Sequence, residues 1–114
     1  DLRHLPERVS WKAAVCIDPA EFALGAVRDG HVRVGDTVAV FGLGAIGLFI
    51  VQLAKMQGAE LVLAADPIEL RREVATAVGA DGVFDPNACD ISYEIKKATD
   101  KRGTDVNFAL VVMW

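Results

Sequence analysis

From Val34 onward the chain alternates short continuous apolar runs with longer segments whose apolar residues recur every three or four positions. The short runs, bounded by Gly, Asp and Pro, predict strands, and the periodic segments predict helices. Strands are expected at Thr37 to Phe41, Leu61 to Ala65, Gly82 to Phe84 and Val106 to Met113. Between them the pattern predicts helices over Ala45 to Gln57, Pro67 to Val78 and Ile91 to Thr99. Gly58 and Gly79 are placed to end the first two, because glycine takes the left-handed conformation that closes a helix. Upstream, Trp11 to Val15 suggests a short helical turn. Asp18-Pro19-Ala20-Glu21 predicts a second start, with Asp18 as N-cap and Pro19 in the first helical position. Phe22, Ala23, Ala26 and Val27 give that helix an apolar stripe ending near Asp29-Gly30, and Val32 to Asp36 reads as a polar turn.

Strands that alternate with helices favour a parallel sheet, since parallel neighbours need a crossover. The fold class is therefore α/β: a Rossmann-type parallel sheet, incomplete, of spatial order 3-2-1-4, with an N-terminal helical lead-in. Residues 1–30 form the lead-in, and 31–114 form a partial dinucleotide-binding domain. The echo of Gly58-Ala59-Glu60 in Gly79-Ala80-Asp81, with Asp-Pro after each following strand, is the rhythm of βα units. Phe108, Met113 and Trp114 read as core. A polar start and an apolar finish make the chain look like a segment of a longer protein. Its last strand then lies at a sheet edge, where self-association into a homo-oligomer is expected.

Composition narrows the setting. A net charge of −4 argues against nucleic acid or an anionic membrane as the main partner. No run reaches the roughly 18 apolar residues of a membrane span, and no apolar signal-peptide core opens the chain. Cys16 and Cys89 lack metal spacing and make no disulfide framework, so a reducing cytoplasm is the expected compartment. His4 and His31 are isolated in polar turns.

The chemistry concentrates after the first predicted strand, in Gly42-Leu43-Gly44-Ala45-Ile46-Gly47. Gly42 suits the tight turn off the strand, and Gly44 allows the backbone to approach a phosphate. Gly47 permits close helix–sheet packing, and the helix N-terminus presents free N–H groups. Asp66 ends the second predicted strand, nineteen residues past Gly47. There a carboxylate can accept both ribose hydroxyls and repel a 2′-phosphate, favouring NAD over NADP. Each feature also has a plain alternative: a βα turn without a ligand, and an N-cap for the helix at Pro67. Asp85-Pro86 repeats the Asp-Pro pattern where no ligand is expected. Arg71 and Arg72 fit either the ribose or adenine edge or a solvated helix face.

Ala26-Val27-Arg28-Asp29-Gly30, Val34-Gly35-Asp36-Thr37-Val38, the glycine turn and Gly79-Ala80-Asp81 together resemble the medium-chain, zinc-type alcohol and polyol dehydrogenases. The resemblance runs from about Leu5 to Val111. It implies that Gly42, Leu43, Gly44, Ala45, Ile46 and Gly47 hold the pyrophosphate of NAD, Asp66 the adenosine ribose and Arg71 the ribose edge. The helix over 19–28 becomes the connection from a catalytic domain absent here. Asp18-Pro19 matches a pair that in polyol-type relatives sometimes reaches the zinc site, beside the capping reading. No Gly-His-Glu motif occurs, so zinc and catalytic residues belong to the full-length protein rather than to this segment. The implied activity of the parent is hydride transfer between a nicotinamide and an alcohol or polyol. On its own the segment is expected to bind the adenosine half weakly and to turn nothing over. An S-adenosylmethionine-binding methyltransferase domain and a non-catalytic nucleotide-sensing module are the alternatives, the former weakened by the absence of an acid in the first strand.

Overall fold

The computed structural model describes residues 4–110. Its elements are α1 (Trp11–Ala14), α2 (Ile17–Asp29), β1 (Thr37–Phe41), α3 (Ala45–Met56), β2 (Leu61–Ala65), α4 (Glu69–Ala77), β3 (Gly82–Phe84), α5 (Ile91–Ala98) and β4 (Val106–Ala109). The four strands form one parallel sheet in the order β3-β2-β1-β4. This is the Rossmann-like α/β arrangement expected from the alternation. The first three strands fall at the expected residues, because each is a compact apolar run between turn residues.

Strand β1 is buried on both sides, as parallel strands covered by helices must be. Val38 and Val40 share a core with Phe108 of β4, Val62 and Ala64 of β2, and Ile50, Val51 and Ala54 of α3. Burying one such Val or Ile side chain contributes about 1.5–3 kcal/mol. Alternation sends Ala39 and Phe41 to the other face, where Phe41 and Asn107 line a hollow with Ile91 and Ile95 of α5. Helices α3 and α5 thus cover opposite faces of the sheet. Ala23 and Val27 of α2 enter the same core as α3, so the lead-in helix is built into the sheet's packing.

Three boundaries differ from expectation by two residues or more. Helix α2 begins at Ile17 with Cys16 as its N-cap, and Asp18 makes no capping bond. Asp18 and Pro19 lie inside the first turn, where backbone N–H groups have no intrahelical acceptor, so a proline costs nothing there. The start moves upstream because α1 leads almost directly into α2, the Ala20 N–H donating to the Cys16 carbonyl (3.0 Å). Helix α4 begins at Glu69 with Ile68 as N-cap, which leaves Pro67 in the preceding turn. Strand β4 ends at Ala109; the expected continuation over 111–113, and the core assignment of Met113 and Trp114, lie outside the described residues. Phe108 is buried as expected.

Pairing fixes where the loops emerge. Phe41 is opposite Ala65 and Ala109, and Ala65 is opposite Phe84. The turns after β1, β2 and β3 therefore open together at the carboxyl edge. The sheet order reverses between β1 and β4, and ligands of open α/β sheets bind outside the strand ends at such a reversal.

Candidate cofactor site

Each glycine of the turn after β1 meets a different demand. Gly42 has φ 98°, and a Cβ there would also touch the Leu110 backbone at 3.4 Å. Gly47 sits in the first turn of α3, where a Cβ would overlap the Gly42 carbonyl oxygen. These two are explained by the chain itself. Gly44 is not: its backbone is extended (φ −74°, ψ −166°), and a Cβ would meet nothing within 4 Å. It is the N-cap of α3 and leaves that helix without a side-chain cap. Open space, free N–H groups and the positive end of a helix dipole coincide at this residue, an arrangement suited to an anion.

The turn is held from two sides. The Gly42 N–H donates to the Ala65 carbonyl (2.9 Å), and the Leu110 N–H donates to the Phe41 carbonyl (2.8 Å). The Leu43 N–H donates to Asp66 Oδ2 (2.8 Å), and Leu43 itself is fully buried. Asp66 Oδ1 accepts the Ile68 N–H (2.8 Å), closing an Asx turn over Pro67. Asp66 is almost completely buried, with the Arg71 guanidinium 3.6 Å from Oδ2.

Asp85 gives an internal comparison. Its Oδ1 accepts the Asn87 N–H (2.9 Å), the same local turn as at Asp66. Only Asp66 also reaches across to the glycine turn. The shared Asp-Pro pattern is thus turn chemistry, and what separates the two acids is a contact between residues far apart in sequence. The capping alternative is replaced by this Asx turn, since Ile68 and not Asp66 is the N-cap of α4.

The residue pattern leaves Arg71 and Arg72 alike and only the family resemblance singles out Arg71, yet in the structure they differ. Arg72 Nη1 donates to the Asp66 and Pro67 carbonyls (2.9 Å each) and lies 3.7 Å from Asp85 Oδ2. It therefore ties the turn after β2 to the turn after β3. Arg71 is half exposed, with Asp66 as its ion partner. Spacing in the sequence does not separate the two; the fold brings Arg72 back to the carbonyls before its own helix and leaves Arg71 beside the Asp66 carboxylate.

Residues 42–47, 66 and 71 lie together at the carboxyl edge of the sheet. Asp18 does not join them; it lies on α2. Among the described residues no three His, Cys, Asp or Glu side chains gather to hold a metal ion. His4 and His31 are exposed, and no described helix is long and apolar enough to cross a membrane.

Known proteins resemble this chain in sequence and fold. The family model for zinc-binding dehydrogenases matches residues 45–112. D-guloside 3-dehydrogenase of Escherichia coli K12 is 52% identical over 105 residues, covering 92% of this chain and 30% of that protein. The alcohol dehydrogenase of Thermus sp. ATN1 superposes with a TM-score of 0.82 at 32% identity, over 92% of this chain and 30% of that one. A Sinorhizobium meliloti 1021 protein described as a zinc-binding dehydrogenase and solved bound to NADP gives a TM-score of 0.71 at 35% identity, over 77% of this chain and 26% of that one. The chain thus spans about 30% of the length of the curated relative. The agreement extends from α3 through the last described strand, and on it the chain belongs to the zinc-binding dehydrogenase family.

Proposed function

We propose that this chain binds the adenosine diphosphate half of NAD for an alcohol or polyol dehydrogenase that moves a hydride between a nicotinamide and a substrate carbon. One observation carries the reading: Gly44 is glycine where neither its backbone angles nor its neighbours require it. A pyrophosphate set on the α3 N-terminus supplies the missing reason, because only a residue without Cβ lets an anion reach those N–H groups. Leu43, Ala45 and Ile46 continue the cradle, and Gly42 and Gly47 give it shape.

Asp66 suits the adenosine ribose. Its two oxygens hold one N–H each, and a carboxylate oxygen can accept a second hydrogen bond. Arg71 borders the same position. The nicotinamide supplies the hydride-accepting carbon when the cofactor is bound; the part of this chain is to bind and orient it. No zinc step is assigned to the described residues, which offer no ligand cluster. Relatives named as dehydrogenases support an enzyme parent, with residues 1–30 as the lead-in from its catalytic part.

Gly44→Val tests the reading. The extended backbone accepts a side chain and the space is open, so the variant should fold, losing no more than about 1 kcal/mol for the poorer N-cap. Its calorimetric affinity for ADP-ribose and NAD should fall by about tenfold or more, as the new side chain displaces the pyrophosphate. Unchanged affinity in the folded variant would remove the cradle from the argument.

A further inference from the structure

The outer face of α5 carries chemistry that the cofactor site does not use. Ile91 and Ile95 line the hollow against the sheet with Phe41 and Asn107. Tyr93, Lys96, Lys97 and Lys101 line a second hollow of about 460 Å³ on the solvent side. Tyr93 is 62% exposed, so its ring serves as a wall of that hollow and not as core. None of the three lysines has a carboxylate partner among the described residues, whereas Arg33, Lys55, Arg71 and Arg72 each have one. The chain as a whole carries −4, so this concentration of unpaired cations runs against its composition. Glu94 and Asp100 are the carboxylates nearest in sequence, and residues 93–102 still hold four cations against those two.

The α5 dipole accounts for Lys96 and Lys97, which lie in the last turn. It does not account for the placing of Lys101. Asp100 and Lys101 are both left-handed, at φ 50° and 68°, where residues with a side chain are seldom found. The Lys101 N–H donates to the Lys96 carbonyl (2.7 Å), which folds the chain back and sets Lys101 against the end of the helix. Thr99 holds that turn from inside. It is buried, and its hydroxyl donates to the Ile95 carbonyl (2.8 Å) and accepts the Gly103 N–H (2.9 Å).

We infer that this hollow binds an organic polyphosphate with a flat base, the chemistry of a nucleoside triphosphate, at a site separate from the cofactor site. An exposed aromatic face takes a base by stacking, and ammonium groups around it take phosphate oxygens as point charges. The volume of the hollow suits a ligand of that class. Its place in the fold keeps it apart from the glycine turn. Residues 99–105 lead from α5 to the start of β4, where Asp105 Oδ2 accepts the N–H of Thr37, the first residue of β1. The glycine turn follows the last residue of β1, at the other edge of the sheet. Both ligands can therefore be held at once.

Calorimetry in low salt tests this, with ATP and inorganic tripolyphosphate as probes and excess ADP-ribose present to fill the cofactor site. ATP should bind the wild-type chain with a Kd below about 1 mM. The double variant Lys97→Glu, Lys101→Glu should weaken both probes by about tenfold or more, and added NaCl should weaken both in the wild type. Tyr93→Ala should weaken ATP by about fivefold and leave tripolyphosphate within about twofold. All three residues are exposed, so the variants should fold, which melting curves check. No ATP binding by the folded wild type overturns the inference, and so does binding that survives the double charge reversal. Equal affinity for the two probes, untouched by Tyr93→Ala, overturns the nucleotide assignment. Competition between ATP and ADP-ribose overturns the separate site. A chain that binds ATP through these residues and does not bind ADP-ribose keeps this inference and removes the dinucleotide reading.

Discussion

Gly47 makes the strictest demand in the site. Its α carbon lies so close to the Gly42 carbonyl that a single methyl group cannot be placed without moving α3 or the turn. Gly47→Ala is therefore expected to destabilise the chain by about 1–3 kcal/mol, the range typical of overpacking. Urea unfolding checks this, and a variant as stable as the wild type would mean that the helix shifts freely. The contrast with Gly44 matters: one glycine is demanded by packing, and the other caps α3 with open space around it. Both were legible as glycines of a phosphate-type turn. Which of them is demanded by packing and which faces open space was not, because that depends on what lies within 4 Å in space.

At the level of elements, the parallel strands are held at their amino ends by carboxylates from elsewhere. Asp105 Oδ2 accepts the Thr37 N–H at the start of β1 (2.8 Å), and Asp81 Oδ2 accepts the Val62 N–H in β2 (2.7 Å). Lys55 of α3 also donates to Asp81 (3.0 Å), so one side chain ties α3, β2 and the approach to β3. Asp81→Ala leaves the Val62 N–H without its acceptor and should cost about 1–2 kcal/mol in urea unfolding. Asp81→Asn keeps an acceptor and loses mainly a half-exposed ion pair, so it should cost less than about 1 kcal/mol. Equal effects would show that the ion pair, not the backbone bond, carries the contribution. Strand and helix positions were readable from apolar runs and periodicity. Helix starts were read less well: α2 begins two residues before, and α4 two residues after, the expected first helical positions at Pro19 and Pro67. Proline marks the neighbourhood of a start, and the packing of the flanking chain decides the residue.

Across the whole molecule, the sheet order leaves β4 at an edge among the described strands. It follows Asp105 and carries Val106 and Phe108 toward the core, with Asn107 and Ala109 exposed. An edge with unpaired backbone groups and little charge invites pairing with a second copy. The chain should associate as its concentration rises through about 100 μM, a range where exposed strand edges aggregate. Sedimentation velocity that stays monomeric throughout would place the edge out of reach. The family assignment belongs at this scale too, because it rests on the run from α3 through β4 and not on any single motif.

By itself the sequence determined the alternation of strands and helices, the order of the sheet, and a glycine turn followed by an acid at the distance of one βα unit. Local periodicity and turn chemistry are written in neighbouring residues, and the handedness of crossovers converts them into a topology. Tertiary structure alone decided that Asp66 is buried against the Leu43 N–H, that Arg72 clamps two carbonyls while Arg71 stays half free, and that Gly44 faces open space. Asp66 and Leu43 meet only because β1 and β2 lie side by side with Phe41 opposite Ala65. Charge, exposure and reach at the site are properties of that juxtaposition, and no pattern within either strand contains them.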